Sequence, residues 1–128
     1  MDRAAGDGFL PGQHAIDAYG NGGFRFGDMS HKGSILALPT GVHEIAQGGL
    51  DAIAEAVLTL LKTQPRGSIE ILLIGAGAQF APLPKAFAFA LQEARISFEV
   101  MGTGAAARTY NILLGERRRV AAVLIAVA

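Results

Sequence analysis

Residues 69–127 open with Ile69-Glu70-Ile71-Leu72-Leu73-Ile74, turn at Gly75-Ala76-Gly77 and continue through an apolar-periodic segment to Ile96-Ser97-Phe98-Glu99-Val100-Met101. Gly102-Thr103-Gly104, a second periodic segment and an apolar run from Val120 follow. The order is strand, helix, strand, helix, strand, with glycines at each strand-to-helix corner. Strands separated by helix-length crossovers pair in parallel. Ile69–Ile74, Ile96–Met101 and Val120–Val127 are therefore expected as mutually parallel neighbours in one sheet. In such sheets ligands bind outside the carboxyl ends of the strands, and both glycine corners open at that edge.

The flanking helices follow from spacing. Leu50, Ile53, Ala54, Val57, Leu58 and Leu61 form one apolar stripe and predict a helix from Leu50 to Lys62. A second helix follows Pro82 or Pro84, with Leu83, Ala86, Phe87, Ala90, Leu91 and Ala94 on its stripe and Phe89 off it. A third starts near Gly104 with Thr103 as its N-cap and ends at Gly115.

The front third reads as an antiparallel meander. His14–Tyr19 suits a strand and Gly20–Gly23 a turn. Phe24-Arg25-Phe26 alternates as a half-buried strand does, and Gly27-Asp28 suits a two-residue hairpin. A strand from Ser30 to Leu38, ended by Pro39, and a short one from Gly41 to Ile45 complete it. Residues 1–13 read as a flexible tail and residues 14–128 as a single domain.

Composition narrows the function. Eleven basic and eleven acidic side chains cancel in 128 residues, so no overall positive field draws the chain to nucleic acid. A net charge near zero also mildly favours self-association, so a homo-oligomer is a candidate state. Cysteine is absent, which excludes disulfides and thiolate chemistry. The N-terminus lacks the apolar core of a secretory signal and the character of a transit peptide. The longest apolar run, Val120–Ala128, spans nine residues, against roughly 20 for a membrane crossing. A cytoplasmic protein without a membrane span is expected.

No convincing catalytic set is visible. Gly75-Ala76-Gly77 lacks the third glycine of a dinucleotide fingerprint, and no acidic residue closes the next strand. His14, His31 and His43 match no compact metal motif. Gly102, Thr103 and Gly104 allow close approach of a backbone or a ligand, and Arg108, one turn on, is placed to bind a carboxylate or phosphate. Asn111 suits either a buried structural hydrogen bond or a ligand contact. The candidate ligand site is thus Gly75, Gly77, Gly102, Thr103, Gly104, Arg108 and Asn111. No catalytic residue, metal ligand or cofactor is assigned.

Several motifs together carry a resemblance: Gly22-Gly23-Phe24-Arg25-Phe26, Gly33–Pro39, Ile74–Gly77, Gly102–Ala106, Arg108–Asn111 and Arg118-Arg119-Val120. From about His14 to Val127 the chain resembles a small α/β-domain family of unknown function. A mitochondrial respiratory complex I assembly factor, the adipogenesis-associated domain protein and many uncharacterised bacterial and archaeal proteins share it. The resemblance implies a three-layer α/β domain with a mixed central sheet, parallel in its C-terminal βαβαβ half, and no established catalytic activity. Unlike the animal assembly factor, this sequence is expected to lack a mitochondrial leader and looks like a bare bacterial-type domain. The leading expectation is a non-enzymatic interaction or assembly domain with a protein partner, related to complex I assembly. The alternative is a small anionic-ligand binder or enzyme using the glycine-rich edge.

Overall fold

The structure, a computed structural model, describes residues 8–79 and 81–128. Its strands are β1 Leu10–Pro11, β2 Ala18–Gly20, β3 Gly23–Phe26, β4 Met29–Lys32, β5 Ser34–Leu38, β6 Gly41–Ile45, β7 Ile71–Gly75, β8 Ser97–Met101 and β9 Val120–Leu124. The helices are α1 Leu50–Leu61, α2 Lys85–Glu93 and α3 Thr103–Gly115. A six-stranded sheet has the order β1-β6-β5-β9-β7-β8, and a separate three-stranded sheet the order β2-β3-β4. β7 pairs in parallel with both β8 and β9. The remaining strand pairs are antiparallel. The fold is α/β, as the crossover lengths require.

Burial explains why these strands sit where they do. β5 and β9 carry no charge and are buried along their whole length, which suits strands covered on both faces. Alternate residues face two cores. Leu36, Leu38, Leu72, Ile74, Ala121 and Val123 pack with α1 and α2 through Ile53, Val57, Phe87 and Leu91. Ile35, Ala37, Leu73, Ala122 and Leu124 pack with α3 and the small sheet through Phe24, Phe26, Ala106 and Tyr110. Three layers result.

The front third follows the turn chemistry and departs from expectation in three places. Asn21-Gly22 and Gly27-Asp28 all have positive φ, at 52°, 79°, 54° and 64°, as type I′ hairpins demand. The expected strand from Ser30 to Leu38 is two strands. Gly33, at φ 100°, breaks it, so that β4 stays in the small sheet and β5 enters the large one. Pairing from His14 also starts later, at Ala18, because Tyr110 and Asn111 hold the preceding segment on α3. Third, the expected tail, residues 1–13, ends in structure: Leu10 and Pro11 pair with Val42 and Gly41. Residues 1–7 lie outside the described residues.

Of the helix stripes, Leu50, Ile53, Val57 and Leu61 are buried on α1 and Phe87 and Leu91 on α2, where Pro84 is the N-cap. Phe89 is 63 % exposed. Among the described residues no helix is long and apolar enough to cross a membrane.

Candidate functional site

Both glycine corners do meet at the carboxyl edge of the parallel strands, and the chain's own hydrogen bonds fill the space between them. Ala76 N–H donates to Met101 O at 2.8 Å, Thr103 N–H to Gly77 O at 2.8 Å, and Ile125 N–H to Gly75 O at 2.9 Å. Thr103 is the first residue of α3; the N-cap is Gly102. Its side chain is fully buried and caps no helix amide. The hydroxyl donates to Ile125 O at 2.6 Å and accepts from Gly77 N–H at 3.0 Å. One side chain thus ties together the loops after β7, β8 and β9.

Gly75 serves packing at this edge. A Cβ there would stand 3.0 Å from Thr103 Cα and 3.2 Å from Ala106 Cβ, so its absence lets α3 lie directly on β7. Gly77 has φ 107°, a conformation that favours glycine. A Cβ on Gly102 would meet only ordinary contacts, with Gly77 O at 3.5 Å.

Gly104, Arg108 and Asn111 lie apart from this closure. The Tyr19 ring covers Gly104, its hydroxyl occupying the place a Cβ would take. Arg108 is exposed, and its Nη1 stands 3.4 Å from the Tyr19 hydroxyl. Asn111 clamps backbone: Oδ1 accepts from Ile16 N–H and Nδ2 donates to Ile16 O, both at 2.8 Å. One side chain amide thereby satisfies a residue that has no strand partner. Beside it, the Tyr110 hydroxyl donates to His14 O at 2.8 Å. Burial, opposed by a hydrogen bond involving Gln13, pushes the Tyr110 phenol up to about 12.

The arginine run is used at the opposite end of the strands. Arg118 Nε donates to Glu70 Oε1 at 2.8 Å, and Arg119 lies 3.9 Å from the other oxygen. The Arg118 hydrogen bond holds the Glu70 carboxyl below its usual range despite opposing desolvation. His31 stacks on Phe9 with ring centroids 4.8 Å apart and faces Glu44 at 3.6 Å. No group of three or more metal-ligating side chains gathers among the described residues.

An open concavity lies elsewhere, on the small sheet. A cleft of about 310 Å³ is lined by Ala18, Tyr19 and Gly20 of β2, by Asn21 of the following turn, by Gly23, Phe24 and Arg25 of β3, and by Ser30, His31 and Lys32 of β4. Sequence reasoning missed it. The available signal was the alternation of Phe24-Arg25-Phe26, which turns Arg25 away from the core that its neighbours enter.

Comparison with known proteins gives consistent relatives. The model of a family described as protein of unknown function (DUF498/DUF598) matches residues 16–125. An uncharacterized protein of Rhodobacter capsulatus is 39 % identical over 116 residues, covering 86 % of this chain and 82 % of its own length. The Drosophila melanogaster protein named NADH dehydrogenase [ubiquinone] 1 alpha subcomplex assembly factor 3 is 33 % identical over 114 residues, which are 86 % of this chain and 57 % of that protein. A crystal structure described as an outer membrane protein from Bartonella henselae is 49 % identical and superposes with a TM-score of 0.86, covering 93 % of this chain and 99 % of that one.

Proposed function

We propose, for a chain that belongs to the DUF498/DUF598 family of proteins of unknown function, that it is a non-enzymatic interaction domain acting in the assembly of a larger complex. In its finer form the partner is a protein of respiratory complex I, met in the cytoplasm. The observation that carries this reading is the closure of the carboxyl edge: where α/β folds hold their ligands, this chain places Thr103 and its own backbone. The name of the Drosophila relative supports the assembly role. Exposed Phe89 and Ile112, on α2 and α3, offer apolar anchors to a partner. Zero net charge also favours self-association.

A second reading has one observation in its favour. Arg108 is exposed, and the hydroxyl of Tyr19 is its neighbour. The two flank the start of α3, where free amides favour an anion. In that reading Gly102, Thr103, Gly104 and Arg108 receive a carboxylate or phosphate.

Affinity capture from a lysate of the protein's own cells separates the readings, with both protein and small-molecule readout. The interaction reading expects a protein retained by the wild type and lost on Phe89→Glu or Ile112→Glu. A stoichiometric anionic metabolite, lost on Arg108→Ala and accompanied by no protein, would overturn it.

A further inference from the structure

We propose that the outer face of the β2–β3–β4 sheet is a binding cleft for a small free anion carrying two acidic groups, as carboxylates or phosphates. The inference does not rest on the interaction reading; it concerns a different surface.

The pleat builds this face. Cross-strand partners share a side of a sheet. Ala18 pairs with Arg25, and Arg25 with Ser30; Gly20 pairs with Gly23, and Gly23 with Lys32. These six residues therefore point one way. The alternate row of Tyr19, Phe24 and His31 points the other, and Phe24 enters the core. The outward grid has two side-chain-free positions, Gly20 and Gly23, beside two long cations and a hydroxyl. The missing side chains make the hollow. Gly23 has no alternative, because a Cβ there would collide with the backbone oxygen of His31.

Charge then selects the occupant. Arg25, Ser30 and Lys32 are exposed. Among the described residues no acidic side chain lines the cleft. The Arg25 side chain has no hydrogen-bond or ion-pair partner among the described residues. Lys32 Nζ donates to Asn21 O at 2.7 Å, which fixes the ammonium and leaves two of its three N–H bonds for another acceptor. A guanidinium fork suits one planar or tetrahedral anion, a held ammonium a second, and the Ser30 hydroxyl donates between them. At about 310 Å³ the cleft lies at the small end of ligand sites. That size fits a metabolite. In a chain of zero net charge, two cations facing one hollow without an acid are a local feature, and long-range steering contributes little.

The test is titration of the isotope-labelled full chain with succinate and with inorganic pyrophosphate, followed by amide NMR at constant ionic strength. Saturable shifts at Gly20, Gly23, Arg25, Ser30 and Lys32 are expected, and the tighter probe identifies the preferred acid. Arg25→Gln and Lys32→Gln should each weaken binding about tenfold or more, the effect of losing a charged hydrogen bond. Ser30→Asp, which sets a carboxylate between the cations, should abolish it. Unchanged spectra away from the cleft would show that these surface variants remain folded. Failure of both probes to saturate by about 10 mM, shifts centred on Gly102–Arg108, or binding that survives the double variant Arg25→Gln/Lys32→Gln would each overturn the proposal.

Discussion

Two glycine-rich regions of this chain look alike as sequence and differ in space. At the carboxyl edge of β7 and β8, Gly75, Gly77 and Gly102 let the chain approach itself, and Thr103 locks the loops together. On the small sheet, Gly20 and Gly23 leave a hollow walled by Arg25 and Lys32. A glycine signals close approach; it does not say whether a ligand or the protein's own backbone arrives. The residues nearby decide. A small hydroxyl that satisfies two backbone groups closes a corner, whereas glycines beside long side chains on adjacent strands leave a cleft.

The seam between the two regions should show the largest effect. Tyr110 is fully buried, packs α3 on the central sheet and holds the segment leading into β2. Tyr110→Ala is expected to cost about 3–5 kcal/mol, as other large aromatic truncations do, measured by denaturant unfolding. A cost near zero would mean that the small sheet is not anchored through α3.

Within the carboxyl edge, Thr103→Val keeps the shape and removes the hydroxyl. It leaves Gly77 N–H and Ile125 O without their partner, a loss of about 3 kcal/mol by the usual cost of orphaned buried groups. If the edge were a vacant ligand site, the same variant would unfold at the wild-type denaturant midpoint.

Alkaline titration probes the seam again. Burial raises the Tyr110 phenol from 10 to about 12, so the folded state keeps a proton that the unfolded chain gives up. Stability from this group is intact below about pH 10 and lost as pH rises through 12, by about 2–3 kcal/mol. Tyr110→Phe should flatten that loss in pH-dependent melting curves. An equally steep loss in the variant would assign it to other groups.

Arg108→Ala should have the smallest effect. The side chain is exposed, and among the described residues its hydrogen-bond partner is the Tyr19 hydroxyl, so stability should change by no more than about 0.5 kcal/mol. A larger loss would make Arg108 part of the closure and erase the contrast between the two regions.

The C-terminal half was legible because each of its signals is local. The 3.6-residue stripes, the β-branched runs and the crossover lengths specify β7–α2–β8–α3–β9 without reference to anything distant. The front third was legible at its turns, where Asn21-Gly22 and Gly27-Asp28 carry their own backbone chemistry. It was not legible at Gly33, because alternation continues through Ser30–Leu38 and nothing local says that the chain changes sheets there. Thr103 looked like an N-cap because threonine before a helical run usually is one. Its partners, Gly77 and Ile125, lie 26 and 22 residues away, beyond any local pattern. Asn111 was equally ambiguous, since its partner Ile16 is 95 residues distant. The cleft escaped because its walls belong to three strands whose register only the fold reveals.

Hydrogen exchange at the amides of Gly77, Thr103 and Ile125 tests the central claim, that the carboxyl edge is closed interior, most directly. Their N–H groups donate to Thr103 Oγ1, Gly77 O and Gly75 O, so they should exchange as slowly as the amides of β7, and faster by orders of magnitude in Thr103→Val. Exchange of all three at loop rates in the wild type, with slowing on addition of an anion, would contradict the account and return the edge to the role of a ligand site.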